Sequence, residues 1–139
     1  MVEKDMQTIF SKYVKTHLPE TTEVYELKIC KGTSLPFSAL QEHQEKALLE
    51  AQEQGLFHKL TDPPIFYGGQ TRFNVPRPFD CMALVKAKAY VVVWFYHLRQ
   101  KKVFLKIPIK TFIQERETST RKSLTEQRAT EIAEVIHIT

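Results

Sequence analysis

Four polar residues in this chain are of types that act together in hydrolysis at phosphate. Glu26 and Lys28 stand two positions apart in an alternating segment, so in a strand their side chains leave the same face. Gln44 is the polar member of an otherwise apolar helical stripe, and Asp80 opens a strongly apolar segment. Two carboxylates suit Mg²⁺, which prefers oxygen ligands, and a nearby lysine can orient the attacking water or stabilise the developing charge.

Each of these residues also has an ordinary structural explanation. Glu26 and Lys28 fit a solvated ion pair on the exposed face of a half-buried strand. Gln44 fits an amide bonded to a backbone carbonyl, and Asp80 fits a turn residue at the start of a strand. The metal site requires the strand that begins at Asp80 to lie beside residues 24–30, and Asp62 is a weaker candidate for the second acid.

The hydrophobic pattern predicts an α/β fold that would position these residues. The stripe through Met6, Phe10 and Tyr13 predicts a helix over residues 3–17, which ends before Pro19. Residues 24–30 alternate as a strand, and a Ser38–Gln41 capping box predicts a second helix that ends at Gly55. Residues 56–60 then form a strand, which gives a β-α-β unit with parallel strands.

The second half of the chain predicts further strands and two helices around a long loop. We expect a central mixed sheet flanked by helices, in one domain over residues 1–139. The expected elements are a loop over 62–78, a hairpin of 79–85 with 89–97, a strand over 103–109, a helical turn over 110–116, and a last helix from a Ser123–Glu126 capping box to about Val135. The 89–97 strand is continuously apolar and should be buried on both faces.

The charge of the chain is concentrated in one segment. The 139 residues carry a formal net charge of +4, but residues 72–122 alone hold twelve Lys and Arg against three Asp and Glu. Clustered positive charge is typical of binding to a phosphate backbone. The alternative is a solvated sheet edge kept soluble by lysine. The expected nucleic-acid contacts are Arg72, Arg77, Lys86, Lys88, Arg99, Lys101 and Lys102.

Several other function classes find little support. The longest apolar run, residues 89–96, is too short to span a membrane, and residues 1–5 have no signal-peptide core. Cys30 and Cys81 stand alone, which favours buried thiols in a reducing cytoplasm over a zinc site completed by histidines. Glycine-rich phosphate loops and the common hydrolase motifs are absent from the sequence.

The Glu26-Leu27-Lys28 segment resembles the ExK element of the PD-(D/E)xK nuclease superfamily. The stretch over residues 34–44, which ends in His43-Gln44, and the following Gly55 resemble Holliday-junction resolvases across residues 24–60. The resemblance implies a restriction-endonuclease-like fold, a metal site at Glu26, a catalytic Lys28, and Gln44 as the helix glutamine. The family places its first acid on the strand before ExK, for which this chain has no room, so either Asp80 replaces it from a later strand or the site is incomplete.

The resemblance therefore implies a Mg²⁺-dependent endonuclease acting on branched DNA. A nuclease-fold module that binds DNA without cutting it is the first alternative, and a structural or partner-binding protein is the second. Cutting two strands of a symmetric junction favours a homodimer. The apolar tail (Ile132, Val135, Ile136, Ile138) would either contribute to that contact or pack on its own sheet.

Overall fold

The computed structural model describes residues 3–61, 66–67, 70–71 and 80–138. Its four helices are α1 (Glu3–Thr16), α2 (Glu42–Glu53), α3 (Ile109–Thr118) and α4 (Glu126–Ile132), with a short 3-10 turn at Phe37–Ala39. Its strands are β1 (Glu23–Cys30), β2 (Ser34–Pro36), β3 (Leu56–Thr61), β4 (Phe66–Tyr67), β5 (Gln70–Thr71), β6 (Asp80–Val85), β7 (Lys88–Phe95), β8 (Val103–Pro108), β9 (Ser123–Thr125) and β10 (Glu134–His137).

A central four-stranded mixed sheet organises the fold, with strand order β1-β7-β8-β10. β1 runs parallel to β7, whereas β7–β8 and β8–β10 are antiparallel. β7 is an inner strand, and its Val91, Val92 and Val93 are fully buried. The prediction of a continuously apolar strand buried on both faces is therefore confirmed, as is the α/β class.

Each face of the sheet carries its own hydrophobic core. Val91, Val93, Leu105 and Ile107 face α2, α3 and α4, whereas Val92, Trp94 and Phe104 face α1. The helices α1 and α3 match their predicted positions. On α1, Met6 and Phe10 are buried, and the Phe10 ring meets Tyr25 edge-on with centroids 4.9 Å apart. We refer below to the α2 face and the α1 face of the sheet.

Helix α2 begins later than the capping pattern predicts. The N-cap is Gln41, and its capping box is closed by Gln44 rather than by the Ser38–Gln41 pair. Ser38 lies instead in the 3-10 turn. The prediction failed because two residue pairs, Ser38–Gln41 and Gln41–Gln44, fit the capping-box pattern. Ser38 is part of the 3-10 turn at Phe37–Ala39, so the helix is capped by the second pair.

The expected β-α-β unit and hairpin are both wrong in their pairing. The parallel partner of β1 is β7, and β3 pairs antiparallel with β6 in a separate two-stranded sheet. β6 therefore does not form a hairpin with β7, although only Lys86 and Ala87 separate the two strands. The reason is that both edges of β7 are occupied, one by β1 and the other by β8. Between β6 and β7, the amide of Ala87 donates to the carbonyl of Ala51 at 3.1 Å. We call the β3–β6 pair the arm.

The C-terminal elements also differ from the prediction. Ser123–Thr125 is the strand β9, and the N-cap of α4 is Thr125, whose side chain accepts from the Arg128 amide. α4 ends at Ile132, and β10 follows as an edge strand against β8. Because Ile136 is buried beneath α1, the tail packs on its own sheet. Among the described residues, no helix is long and apolar enough to cross a membrane.

Candidate functional site

The structure brings Glu26, Lys28 and Gln44 together on the α2 face. The Lys28 ammonium lies 3.2 Å from Glu26 Oε1 and donates to Gln44 Oε1 at 3.0 Å. Glu26 pairs in register with Val91 and Lys28 with Val93, so both polar residues stand beside apolar core positions. Strand alternation places the two side chains on one face, and α2 crosses that face from above, as the sequence predicts.

The side chain of Gln44 accepts two hydrogen bonds in this cluster. Its Oε1 accepts from the Gln41 backbone amide at 3.0 Å as well as from Lys28. The first bond closes the capping box that starts α2, and the second ties the helix start to β1. The expectation that Gln44 faces the Glu26–Lys28 strand is confirmed, and its fixed position follows from the capping box.

The cluster is partly open to solvent. The side chains of Lys28 and Glu26 are 17% and 25% exposed, which is more than a core ion pair and less than a solvated one. β1 is an edge strand of the central sheet, so the cluster lies at a border of the molecule that a ligand can reach. Nearby on α2, Glu45 is held by Arg116 through two hydrogen bonds of 2.7 and 3.0 Å.

Asp80 stands on β6, which in this structure pairs with β3 and not with β1. The strand pairing that the predicted metal site requires is therefore not observed, and the side chain of Asp80 lies outside the described residues. Asp62 also lies outside them. Within the described part of the chain, no group of three or more His, Cys, Asp or Glu side chains is arranged to hold a metal ion. Glu26 is the one predicted metal ligand whose side chain is described.

The five predicted nucleic-acid contacts that the structure describes do not form one patch. Lys86 and Lys88 are exposed at the start of β7, whereas Arg99, Lys101 and the half-buried Lys102 lie in the β7–β8 turn. Eight residues of β7 separate the two groups by about 23 Å. Arg99 adopts a left-handed conformation with φ of 64°, which tightens that turn. Arg72 and Arg77 lie outside the described residues.

Three other cations of the basic segment are bound to carboxylates. Lys106 pairs with Glu23 and Arg116 with Glu45, while Lys110 lies 3.8 Å from Glu53. The segment is therefore less available to an anionic partner than its composition suggests. The exposed cations of the β7–β8 turn lie at the carboxyl ends of the parallel strands, near Lys31, which follows β1.

The α1 face holds a second polar cluster, which the sequence analysis missed. The Lys106 ammonium lies 2.6 Å from Glu23 and sits 4.3 Å from the centroid of the Tyr90 ring. Tyr25 donates to the same Glu23 carboxylate at 2.7 Å and stacks on Tyr90. The Lys106 and Glu23 side chains are only 12% and 9% exposed. A cavity of about 330 Å³ opens beside them and includes His17 and Glu134 in its lining.

Burial and charge shift the ionisation of this cluster. Burial is the main cause that raises the pKa of Tyr25, and its hydrogen bond to Glu23 adds to the effect. Burial and the Glu23 charge likewise raise the pKa of Tyr90. For Lys106, burial acts to lower the pKa, but the hydrogen bond and charge of Glu23 outweigh it and the pKa is raised. The charged lysine and the neutral tyrosines are therefore stabilised by folding.

The sequence contained a weak signal for this second cluster. Lys106 alternates with the apolar residues of the Val103–Ile109 segment, so it lies on the other face of that strand. Tyr25 and Tyr90 lie on the same strand faces as apolar residues. Nothing local indicates that Lys106 meets Glu23, because the partners are 83 positions apart. The same holds for His97 and Glu126, whose side chains meet at 2.8 Å across 29 positions.

Comparisons of the chain with protein-family models, with curated proteins and with solved structures find no match. The case for a function therefore depends on the geometry of the two polar clusters and on the surface charge around them.

Proposed function

We propose that this protein is a Mg²⁺-dependent DNA endonuclease of the Holliday-junction-resolvase type, with a restriction-endonuclease-like fold of the PD-(D/E)xK class. The observation that carries the proposal is the contact of Lys28 with both Glu26 and Gln44 at an open sheet edge. These three residues come from β1 and α2 and match the strand and helix positions that the resemblance to resolvases assigns.

The chemistry of the cluster supports hydrolysis. Lys28 is held within 3.2 Å of a carboxylate, so its ammonium has a fixed position from which to donate to a phosphate oxygen or to the attacking water. Gln44 is fixed by the helix cap and offers an amide beside the lysine. Partial exposure lets a phosphodiester approach, whereas a fully buried pair would exclude it.

The residues present fit a magnesium ion in part. Glu26 supplies a carboxylate of the hard oxygen type, and Mg²⁺ in proteins commonly uses one or two carboxylates and several waters. We assign Asp80 as the second carboxylate. When bound, Mg²⁺ would supply Lewis-acid stabilisation of charge on the scissile phosphate. Lys28 and Gln44 would then position the phosphate through their own hydrogen bonds.

The charge around the cluster restricts how DNA would approach it. The outer surface of α2 exposes Glu42, Glu50 and Glu53, which repel a phosphate backbone. The exposed cations of the β7–β8 turn attract it at the carboxyl ends of the parallel strands. DNA would therefore cross the β1 edge from the Arg99 end of the sheet and would not lie along α2. Such binding should weaken steeply with salt.

Two further parts of the proposal concern assembly and place of action. Paired cuts in a symmetric junction need two sites related by a twofold axis, so we include a homodimer in the proposal. The tail is not the expected contact, because Ile136 is buried in the α1-face core. A cytoplasmic location also belongs to the proposal and agrees with Cys30, a free thiol among the described residues.

The test is cleavage of a labelled four-way junction, with duplex and single strand as competitors, in Mg²⁺ or in EDTA. We expect Mg²⁺-dependent cleavage of the junction and a loss of at least about 100-fold in rate for Glu26→Gln and for Lys28→Met. Glu50→Gln, an identical change at an exposed carboxylate on α2, should cut at the wild-type rate. Both site variants should still bind the junction, since the backbone contacts lie elsewhere.

A second candidate is a DNA-binding module that keeps this fold and does not cut. One observation favours it, namely that Glu26 is the single carboxylate of the described cluster. Salt-sensitive junction binding by wild-type protein, with no cleavage in Mg²⁺ or Mn²⁺, would support the module and reject the nuclease. Absence of both binding and cleavage would reject both and favour a structural or partner-binding role.

A further inference from the structure

Within the described part of the chain, the outer edge of β1 has no neighbouring strand. β1 pairs with β7 on one side, and the central sheet places no other described strand beside it. The carbonyls of Thr22 and Cys30 accept from the amides of Lys88 and Tyr96 of the β7 side, so even-numbered residues of β1 face β7. The amides of the odd-numbered residues between them therefore point to the open edge. An eight-residue edge of this kind is a template for another strand.

The arm is the second unpartnered feature of the fold. Phe57 and Leu84 are directly opposite each other in the β3–β6 register, and Met82 shares their face by alternation. These three side chains are 64%, 70% and 69% exposed. Two strands with one uncovered apolar face are marginally stable in water, so this face requires a partner.

We propose that the arm docks on the molecule's own β1, with β6 pairing antiparallel along the open edge. The direction fits, because β6 runs toward the end of the sheet at which β1 and β7 begin. The reach also fits. Three Cα steps of about 3.8 Å connect Val85 to Lys88, and two strand spacings of about 4.8 Å would lie between them. Ala87 stays anchored to Ala51, and rotation occurs at Lys86 and at Gly55, which already has a φ of 104°.

The docked register would also explain the exposed apolar face. With Val85 level with Glu23, six residues of each strand pair, which places Leu84 beside Val24, Met82 beside Glu26 and Asp80 beside Lys28. A shift by two residues keeps the same faces. In both registers Leu84 and Met82 lie on the α2 face, where the exposed Ala47 of α2 is available to cover them. Docking would therefore pair the open edge of β1 and cover the exposed apolar side chains of the arm.

Docking has a consequence that rests on the proposed function. With Val85 level with Glu23, docking also brings Asp80 level with Lys28, whereas in the register that pairs Leu84 with Glu26, Asp80 lies level with Cys30. In the first of these registers the arm would act as a switch, because docking would bring Asp80 of β6 to the strand that carries Glu26 and Lys28.

Disulfide trapping tests the docking directly. In a Cys30→Ser, Cys81→Ser background, Glu26→Cys is combined with Met82→Cys, or with Leu84→Cys for the shifted register, and the protein is oxidised at micromolar concentration without DNA or metal. A disulfide requires Cα atoms within about 7 Å. We expect an intramolecular disulfide in at least one of these pairs, identified by peptide mass. Glu26→Cys with Ala83→Cys is the matched control, because Ala83 lies on the opposite face, and it should cross-link at least tenfold more slowly.

Three results would overturn the docking proposal. The first is no intramolecular disulfide in either pair, and the second is equal cross-linking of the Ala83→Cys control. The third is disulfides only between two molecules, which would show that a second copy of the chain pairs with the β1 edge. Amide exchange gives an independent readout. The amides of Tyr25, Leu27 and Ile29 should exchange at least about tenfold faster in Leu84→Asp than in wild type. Neither readout uses cleavage, so a protein that cross-links but does not cleave DNA would support docking of the arm and reject the nuclease function.

Discussion

The two faces of one sheet each carry a lysine–glutamate pair, and the pairs have different surroundings. On the α1 face, Lys106 and Glu23 are almost fully covered and 2.6 Å apart; Tyr25 donates to the same Glu23 oxygen, and the Tyr90 ring lies against the Lys106 ammonium. On the α2 face, Lys28 and Glu26 are farther apart, more exposed, and lie on an edge strand. The first pair is closed within the fold, whereas the second is partly open to solvent.

The difference teaches that residue type does not separate a closed structural cluster from an open candidate site. Both clusters contain a lysine, a carboxylate and a neutral hydrogen-bonding group. What separates them is how far the carboxylate is covered, since the side chain of Glu23 is 9% exposed and that of Glu26 is 25% exposed. Glu23 accepts from both Lys106 and Tyr25, while Glu26 is contacted by Lys28 at the rim of the sheet.

The largest expected effect is on stability, and it tests this comparison directly. Lys106→Met should leave the Glu23 carboxylate buried without its cation and lower the free energy of unfolding by about 3 kcal/mol. Lys28→Met should cost less than about 1 kcal/mol, because Glu26 can be hydrated. Urea denaturation of the two variants measures both values. Equal losses would show that the two clusters are alike, and Glu23→Gln added to Lys106→Met should restore part of the stability.

A smaller effect is expected for DNA binding, and it tests which surface of the protein contacts the DNA. Arg99→Glu with Lys101→Glu should weaken junction affinity by about 30-fold at low salt and reduce the magnitude of the salt slope by about 2. Lys12→Glu with Lys15→Glu on the exposed side of α1 changes the net charge equally. This control should bind within about threefold of wild type. Fluorescence anisotropy at several salt concentrations gives both quantities, and equal losses in the two variants would indicate an effect of net charge alone.

The smallest expected effect is the pH dependence that the α1-face cluster imposes. The pKa values of Tyr25, Tyr90 and Lys106 are all raised on folding, so the folded state holds protons that the unfolded chain releases. Their contribution is complete below the unfolded values, near pH 10 for tyrosine, and is lost as pH rises toward the folded values. The loss should stay below about 1 kcal/mol at pH 10. Denaturation curves from pH 8 to 11 should show a shallower decline for Tyr90→Phe than for wild type.

Local patterns predicted the elements of the fold better than their partners. The stripe through Met6 and Phe10 predicted α1, and the run from residue 89 predicted a buried inner strand. The partner of β1 was not predictable, because a parallel strand can come from any later segment. The nearest candidate in the sequence is β3, whereas the observed partner is β7. The caps of α2 and α4 failed by three and two residues, since several Ser, Thr and Gln residues there satisfy the same pattern.

The candidate site was predictable only where chain geometry is local. Alternation put Glu26 and Lys28 on one face, and the crossover helix carried Gln44 over it, both as predicted. The position of Asp80 depended on a strand pairing between distant segments, and the expected pairing is not the one observed. The α1-face cluster was missed for the same reason, because Lys106 and Glu23 meet only after β7 has inserted between their strands.

The parallel pairing of β1 with β7 also affects the order in which the chain folds. Glu23 pairs with Lys88, 65 positions further along, whereas β7, β8 and β10 all lie within residues 88–137. Closing the longer loop costs more chain entropy and comes later, so the C-terminal strands can assemble before β1 arrives. β1 carries Glu26 and Lys28, so the candidate site is completed only when this long-range pairing forms.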